Sequence, residues 1–89
     1  MQITYDPAKD AINQAKHGMS LAAAASIDWA SAVTWADTRM DYQEERMRGL
    51  GLIGNRVHVV VYVIRDQTRR VISLRKANHR EVMSYANEA

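Results

Sequence analysis

The sequence predicts an α+β fold, with a small antiparallel sheet of about four strands flanked by two N-terminal helices and one C-terminal helix. Residues 57–65 contain seven Val, Ile or Tyr residues out of nine, which is typical of a strand buried on both faces. A short polar connection, residues 66–68, leads into residues 69–76, where apolar and polar side chains alternate. These two runs predict a central hairpin with one core face and one charged face.

The composition predicts one soluble domain over residues 1–89, since 47% of the chain is apolar and 25% is charged. No apolar run approaches the ~20 residues of a membrane-spanning helix, and no basic segment leads into an apolar one at the N-terminus. We therefore expect a cytoplasmic protein without a membrane partner. There is no cysteine, and the three histidines are not at a ligand spacing, so we expect neither a metal ion nor another cofactor.

The charge is divided unevenly along the chain. Residues 1–45 contain three Lys or Arg and seven Asp or Glu, whereas residues 46–89 contain nine and three, giving net charges of about −4 and +6. Because the positive half contains most of the predicted sheet, this asymmetry indicates a polyanionic partner. The alternative is that these arginines are simply solvated.

A first helix is predicted over residues 7–16. Asp6 can cap it, Pro7 suits its first position, and Gly18 can end it in a left-handed conformation. We expect its apolar face to pack inward, namely Ala8, Ala11, Ile12 and Ala15. The opposite polar stripe consists of Lys9, Asn13, Lys16 and His17.

The remaining elements follow from caps and apolar runs. Ser20 predicts the start of a second helix over residues 21–29, and Asn78 with Glu81 forms a capping box for a last helix to about residue 87. That last helix should bury Val82, Tyr85 and Ala86. Further strand candidates are residues 3–5, 32–36 and 46–53, the last weakened by two glycines, and residues 37–45 form a charged, mobile connection.

Residues 5–20, YDPAKDAINQAKHGMS, resemble the opening of BrnT toxins, which has an aromatic residue and Asp, then Lys, Asn and Lys-His-Gly at fixed intervals. The matching positions are Tyr5, Asp6, Lys9, Asn13, Lys16, His17 and Gly18. The later positions that match the family are Glu45, Arg46, Val61, Tyr62, Ser73, Arg75, Ala77, Glu81 and Tyr85. Arg48 and Gly49 depart from it, because the family is generally apolar there.

The resemblance implies a RelE-like ribonuclease toxin of a bacterial type II toxin-antitoxin system, which inhibits translation and is restrained by a BrnA-like antitoxin. RNA would then be the substrate, and DNA would be reached only through the antitoxin complex. The resemblance is compatible with two kinds of assembly, a homo-oligomer and a toxin-antitoxin hetero-oligomer.

Cutting RNA without a metal ion requires cations beside the phosphate and groups that transfer protons. Arg46 and Arg75 are predicted to hold the scissile phosphate from one sheet face, because a guanidinium matches two phosphate oxygens. The alternative is that Arg46 pairs with Glu44 or Glu45 and that Arg75 pairs with Glu81.

Lys16 and His17 are candidates for proton transfer, since imidazole and ammonium groups can act as general acids or bases. The alternative is that both only complete the end of the helix. Further RNA contacts are predicted at Lys9, Asn13, Arg48, Lys76 and Arg80. For Tyr62 and Tyr85, core packing is the favoured interpretation.

Two rival functions share these residues. One is a binding module without catalysis, whose basic sheet face contacts an acidic partner or nucleic acid. The other is a toxin that has lost its activity. Only an enzyme needs a proton-transfer group within hydrogen-bond reach of the arginines.

Overall fold

A computed structural model describes residues 1–39 and 43–88. Its elements, in chain order, are β1 (Gln2–Thr4), α1 (Pro7–His17), a 3₁₀ helix (Leu21–Ser26), β2 (Val33–Ala36), β3 (Arg46–Ile53), β4 (Arg56–Arg65), β5 (Thr68–Lys76) and α2 (His79–Glu88). None of the helices in this part of the chain has the length and apolar character that a membrane span requires.

The sheet has five strands in the order β1-β5-β4-β3-β2, against a predicted total of about four, and each strand overlaps one of the strand candidates in the sequence. The central position of β4 is confirmed, and the turn after it is short, with positive φ at Asp66 and Gln67. β1 pairs with β5 in parallel over three residues, so the expectation of a purely antiparallel sheet is wrong. The pairing joins the first and last strands of the sequence, and such distant neighbours cannot be read from local patterns.

Two apolar clusters cover the two faces of the sheet. One lies beneath the 3₁₀ helix and consists of Leu21, Ala24, Ile27, Val60, Tyr62, Val71 and Leu74. The other lies beneath α2 and consists of Leu50, Val57, Val59, Ala77 and Tyr85. Core packing is thus confirmed for Tyr62 and Tyr85, whereas Ala86 is exposed, contrary to expectation.

The second predicted helix is shorter and tighter than expected, because it is a 3₁₀ helix that ends at Ser26. Its predicted cap is confirmed, since the Ser20 side chain accepts a hydrogen bond from the amide of Ala22 at 3.1 Å. The helix stops where the backbone joins β3, with the Asp28 amide donating to the Leu52 carbonyl at 2.8 Å. Trp29 lies beyond this end, with the Arg69 guanidinium 3.9 Å from its ring centroid.

The caps of α1 are confirmed. Asp6 accepts from the Ala8 amide at 2.8 Å, and Gly18 ends the helix with a φ of 70°. The predicted inward face is wrong, however, because Ile12 is 65% exposed and Asn13 is only 4% exposed. α1 therefore packs through polar side chains, and its apolar stripe faces outward.

Candidate active site

A cleft of about 460 Å³ lies between α1 and β5. It is lined by Lys9, Ile12, Asn13, Lys16, His17, Ile72, Ser73 and Arg75. The fold thus brings together five of the predicted site residues, from segments more than fifty positions apart in the sequence. Cations of α1 lie on one wall, and Arg75 lies on the other.

Asn13 fixes α1 against the edge of β5. Its amide nitrogen donates to the Leu74 and Met19 carbonyls at 2.9 Å each, and its oxygen accepts from the Leu74 amide at 3.1 Å. The side chain therefore satisfies both backbone groups of Leu74. A neighbouring strand would normally do this, but β1 pairs with β5 only at residues 68–70. Asn13 lines the cleft, but both of its amide hydrogens already bond within the protein.

Arg75 forms a two-pronged ion pair with Glu81, so the structure shows the pairing that the sequence left open. Its Nη1 and Nη2 atoms donate to the two Glu81 carboxylate oxygens at 2.8 and 2.9 Å. Glu81 also completes the predicted capping box, because it accepts from the Asn78 amide at 2.9 Å and its own amide donates to Asn78 at 2.9 Å. The Arg75 guanidinium lowers the pKa of Glu81 to about 2, and Glu81 raises the pKa of Arg75.

This ion pair leaves part of the Arg75 guanidinium open. A guanidinium has five N–H donors, of which Glu81 takes two and the Lys76 carbonyl takes one at 3.3 Å. Within the described residues, no hydrogen-bond partner of the Nε hydrogen and the second Nη2 hydrogen is found. These two hydrogens lie along one edge of the guanidinium plane, which is the geometry that binds two oxygens of a phosphate.

Arg46, Arg48 and Arg75 share one face of the sheet, because the register pairs them with Val63, Val61 and Val59, alternate residues of β4. Arg48 joins Arg75 at Glu81, since its Nη2 donates to the Glu81 carboxylate at 3.2 Å. Arg46 lies further along the face, and the strand geometry separates its Cα from that of Arg75 by about 16 Å. Arg48, more than Arg46, is the neighbour of Arg75.

Asp37 and Arg39 form a further pair, for which the sequence predicts no role. The Nε and Nη2 atoms of Arg39 each donate to Asp37 at 2.8 Å, and the Asp37 side chain is only 1% exposed. These bonds and, to a smaller extent, the charge of Arg48 lower the pKa of Asp37 to about 2. The positive charge of Arg39 also acts on the pKa of Arg75, which it lowers, whereas Glu81 raises it.

No sequence signal marks this pair, because the burial of Asp37 depends on how β2 pairs with β3. The predicted mobile connection includes residues 40–42, which lie outside the described residues.

The other candidates differ in exposure. His17 is half-buried in the last turn of α1, and Lys16 beside it is exposed. Lys76 and Arg80 are both exposed, and neither lines the cleft. Among the described side chains, no group of three or more His, Asp or Glu could hold a metal ion.

The fold and the cleft define a small α+β protein with a cationic site suited to an anionic ligand. Residues 5–81 match the family model described as "Ribonuclease toxin, BrnT, of type II toxin-antitoxin system". The crystal structure of the ribonuclease toxin BrnT from Brucella abortus superposes with a TM-score of 0.68 at 24% identity, covering 89% of this chain and 99% of that one. No curated protein sequence matches the chain.

The chain therefore belongs to the BrnT family of ribonuclease toxins of type II toxin-antitoxin systems.

Proposed function

We propose that this protein cuts RNA in the cleft between α1 and β5, without a metal ion, and thereby inhibits translation until its cognate antitoxin binds. The observation that supports this most directly is the meeting of Lys16, His17 and Arg75 in one cleft. Cleavage by an RNA 2′-hydroxyl needs a cation at the phosphate and a proton-transfer group beside it, and the cleft offers both.

In this proposal, Arg75 holds the scissile phosphate through the open edge of its guanidinium. The charge that develops on the phosphate oxygens during attack is stabilised there and by the Lys16 ammonium. Glu81 keeps the Arg75 side chain in place with two hydrogen bonds, so its orientation does not have to be established when RNA binds.

His17 transfers the proton in this proposal, either from the attacking 2′-hydroxyl or to the leaving 5′-oxygen. An imidazole can serve either step near neutral pH. The attack closes a 2′,3′-cyclic phosphate as the bond to the 5′-oxygen breaks, so the products carry a cyclic phosphate and a 5′-hydroxyl.

The strand arginines and exposed cations bind the rest of the RNA. Arg48 lies beside Arg75 at Glu81, and Arg46 is far enough along the face to contact a neighbouring phosphate. Lys9, Lys76 and Arg80 are exposed and add attraction for the RNA backbone. Asn13 contributes indirectly, by holding the cleft wall in position.

To test this proposal, RNA cleavage by the purified chain is measured in the presence of a chelator. The chains compared are wild type, Arg75→Lys, His17→Asn and Arg56→Ala. Arg75→Lys keeps the charge but loses the fork, so we expect cleavage to fall roughly a hundredfold or more, as for loss of a group that stabilises transition-state charge. His17→Asn should lower cleavage by a similar factor. Arg56→Ala removes an exposed arginine outside the cleft and should cut normally.

A binding module without catalysis is the second candidate, because the Arg75–Glu81 pair also explains Arg75 as an anchor of α2. The same assay separates the two functions. RNA that binds to the wild-type chain but stays intact would establish the binding module and contradict the ribonuclease. Cleavage that requires an added divalent ion would contradict the metal-independent mechanism.

A further inference from the structure

An apolar surface borders the cationic cleft. Ile12 projects from α1 with 65% of its surface exposed, and both Ile12 and the half-buried Ile72 line the cleft. The position of Ile12 is fixed, because Asn13 next to it bonds β5 and prevents α1 from turning this side inward. Ala8, Ala11 and Ala15 of the same helix are also exposed, so Ile12 is part of an apolar patch, and such patches mark surfaces that bind another protein.

The charged groups of the cleft restrict what can bind there. The ionisable side chains that line it are Lys9, Lys16, His17 and Arg75, with no Asp or Glu among the lining residues. A complementary occupant therefore carries carboxylates around an aliphatic side chain. A volume of about 460 Å³ accommodates a few side chains of a short segment but not a folded domain.

RNA by itself does not account for the two isoleucines. Bases bind proteins by stacking on aromatic rings or guanidinium planes, and in the cleft His17 and Arg75 offer such planes, whereas Ile12 and Ile72 do not. Phosphates and riboses gain little from aliphatic side chains. The cations suit RNA and an acidic peptide equally well, but the isoleucines favour the peptide.

We propose that the cleft is the docking site for an acidic segment of the cognate antitoxin, which places an aliphatic side chain between Ile12 and Ile72 and carboxylates on Lys9, Lys16 and Arg75. This inference rests on the proposed function, because it places the inhibitor on the cations that hold the RNA. The antitoxin then inhibits by occupying those cations, and the two isoleucines give it an attraction that RNA does not share. A protein partner can thus displace a far more highly charged polymer.

The test uses an Ile12→Glu variant, the cognate antitoxin and calorimetric titration. Glu is a good helix former, and the site is exposed, so the fold should be kept, which circular dichroism checks. A carboxylate at this position removes the apolar contact and repels the acidic segment, so we expect binding to weaken about tenfold or more, as for the loss of an interface anchor. Ile12→Ala, which only shortens the side chain, should weaken it less.

Ile64→Glu is the matched control, because Ile64 is 53% exposed and does not line the cleft. It should bind the antitoxin with wild-type affinity. Ile64→Glu, outside the cleft, should cut RNA normally without antitoxin. Ile12→Glu adds a negative charge to the cleft that binds RNA, so it should cut more slowly, and its own rate without antitoxin is the reference for inhibition. With antitoxin at a concentration that silences wild type, the Ile12→Glu chain should still cut.

Three results would overturn the docking site. The first is wild-type antitoxin affinity in Ile12→Glu, and the second is an equal loss of antitoxin affinity in Ile64→Glu. The third is self-association of the wild-type chain that Ile12→Glu abolishes while its antitoxin affinity is unchanged. The last result would assign the surface to a second copy of this chain. The two proposals fail separately. A chain that never cuts RNA but loses antitoxin affinity only in Ile12→Glu supports the docking site and contradicts the ribonuclease.

Discussion

At the scale of single residues, Glu81 links three parts of the molecule. Its carboxylate accepts from Arg75 on β5, from Arg48 on β3 and from the Asn78 amide at the start of α2. Both arginines lie outside α2, so one side chain fixes the helix start to two strands of the sheet. Its removal should therefore affect both stability and the position of Arg75.

Glu81→Gln should lower the free energy of unfolding at pH 7 by roughly 1–3 kcal/mol, because hydrogen bonds to two guanidinium groups lose their ionic character. Glu88→Gln, at an exposed glutamate of the same helix, is the control and should change little. Urea unfolding measures both. A Glu81→Gln chain as stable as the control would show that the network adds no net stability.

The same residue makes stability depend on pH. The pKa of Glu81 in the folded protein, about 2, is below its ordinary value of 4.5, so its stabilisation is complete above pH 4.5 and is lost as the pH falls toward 2. Asp37 acts in the same direction, with a pKa of about 2 against an ordinary 3.8. We expect wild-type unfolding free energy to decrease between about pH 5 and pH 2, and Glu81→Gln to show a shallower decrease.

Asn13 is the corresponding residue on the other side of the cleft. Asn13→Ala should cost about 1–3 kcal/mol, because the Leu74 amide and carbonyl lose their partner at a buried position. Asn13→Asp should cost more, since it keeps the acceptor but places a carboxylate against the Leu74 and Met19 carbonyls. Thermal unfolding measures the order, and Gln14→Ala, at an exposed site of α1, is the control.

At the scale of elements, the glycines of β3 allow the segment after the 3₁₀ helix to approach the sheet. A Cβ atom at Gly51 would lie 2.6 Å from the Cγ2 atom of Ile27, closer than real contacts allow. In the sequence, the two glycines make residues 46–53 a weak strand candidate, yet the segment forms an eight-residue strand. At Gly51 the reason for glycine is that Ile27 packs directly over the strand.

Gly51→Ala should therefore destabilise the protein by about 1–3 kcal/mol through overpacking. Ile27→Ala in the same chain removes the Cγ2 atom that the new methyl group would meet. The double variant should consequently be more stable than the sum of the two single changes predicts, as urea unfolding of all four chains can show. Additive effects would mean that the segment simply moves away.

At the scale of the whole molecule, the arginines form a positively charged sheet face. Arg46 and Arg70 lie on either side of Val63 in the neighbouring strands, and Val63 is only 1% exposed. The two arginines therefore flank a fully buried apolar residue. Part of this charge is neutralised within the protein, since Arg65 pairs with Glu44 and Arg75 with Glu81. In the proposed function, the remaining charge attracts the RNA backbone.

RNA affinity should therefore decrease as salt increases. Arg48→Ala should reduce the slope of log K against log salt by about 0.7, the value for one phosphate contact on a single strand. Arg56→Ala should leave the slope unchanged, since Arg56 is exposed away from the cleft. Fluorescence anisotropy at several salt concentrations measures both, using catalytically impaired His17→Asn as the common background so that the RNA stays intact.

The sequence predicts elements well where the determinants are local. The caps at Asp6, Gly18 and Ser20 and the capping box at Asn78 involve residues only two to four positions apart, and all are confirmed. The central strand is confirmed too, because a run of β-branched residues is buried on both faces whatever its neighbours are.

The candidate site was predictable only in part. Chemistry and the family resemblance predict the α1 residues and Arg75, and all of them line the cleft. The joining of Arg48 to Arg75 through Glu81 could not be predicted, because strand register determines which charges meet, and a contact between positions 48 and 81 leaves no periodic trace in a sequence. The Asp37–Arg39 pair is local, but its two-residue spacing does not show that Asp37 is buried.

By itself, then, the sequence determined the caps, the central hairpin, the uneven charge and the resemblance to BrnT toxins. Tertiary structure decided which side of α1 is buried, and it chose the polar one. The unpaired edge of β5 presents backbone groups that need hydrogen bonds, and Asn13 supplies them, whereas the alanines and Ile12 cannot. Satisfying a buried strand edge took precedence over burying an apolar stripe, and no local pattern records that choice.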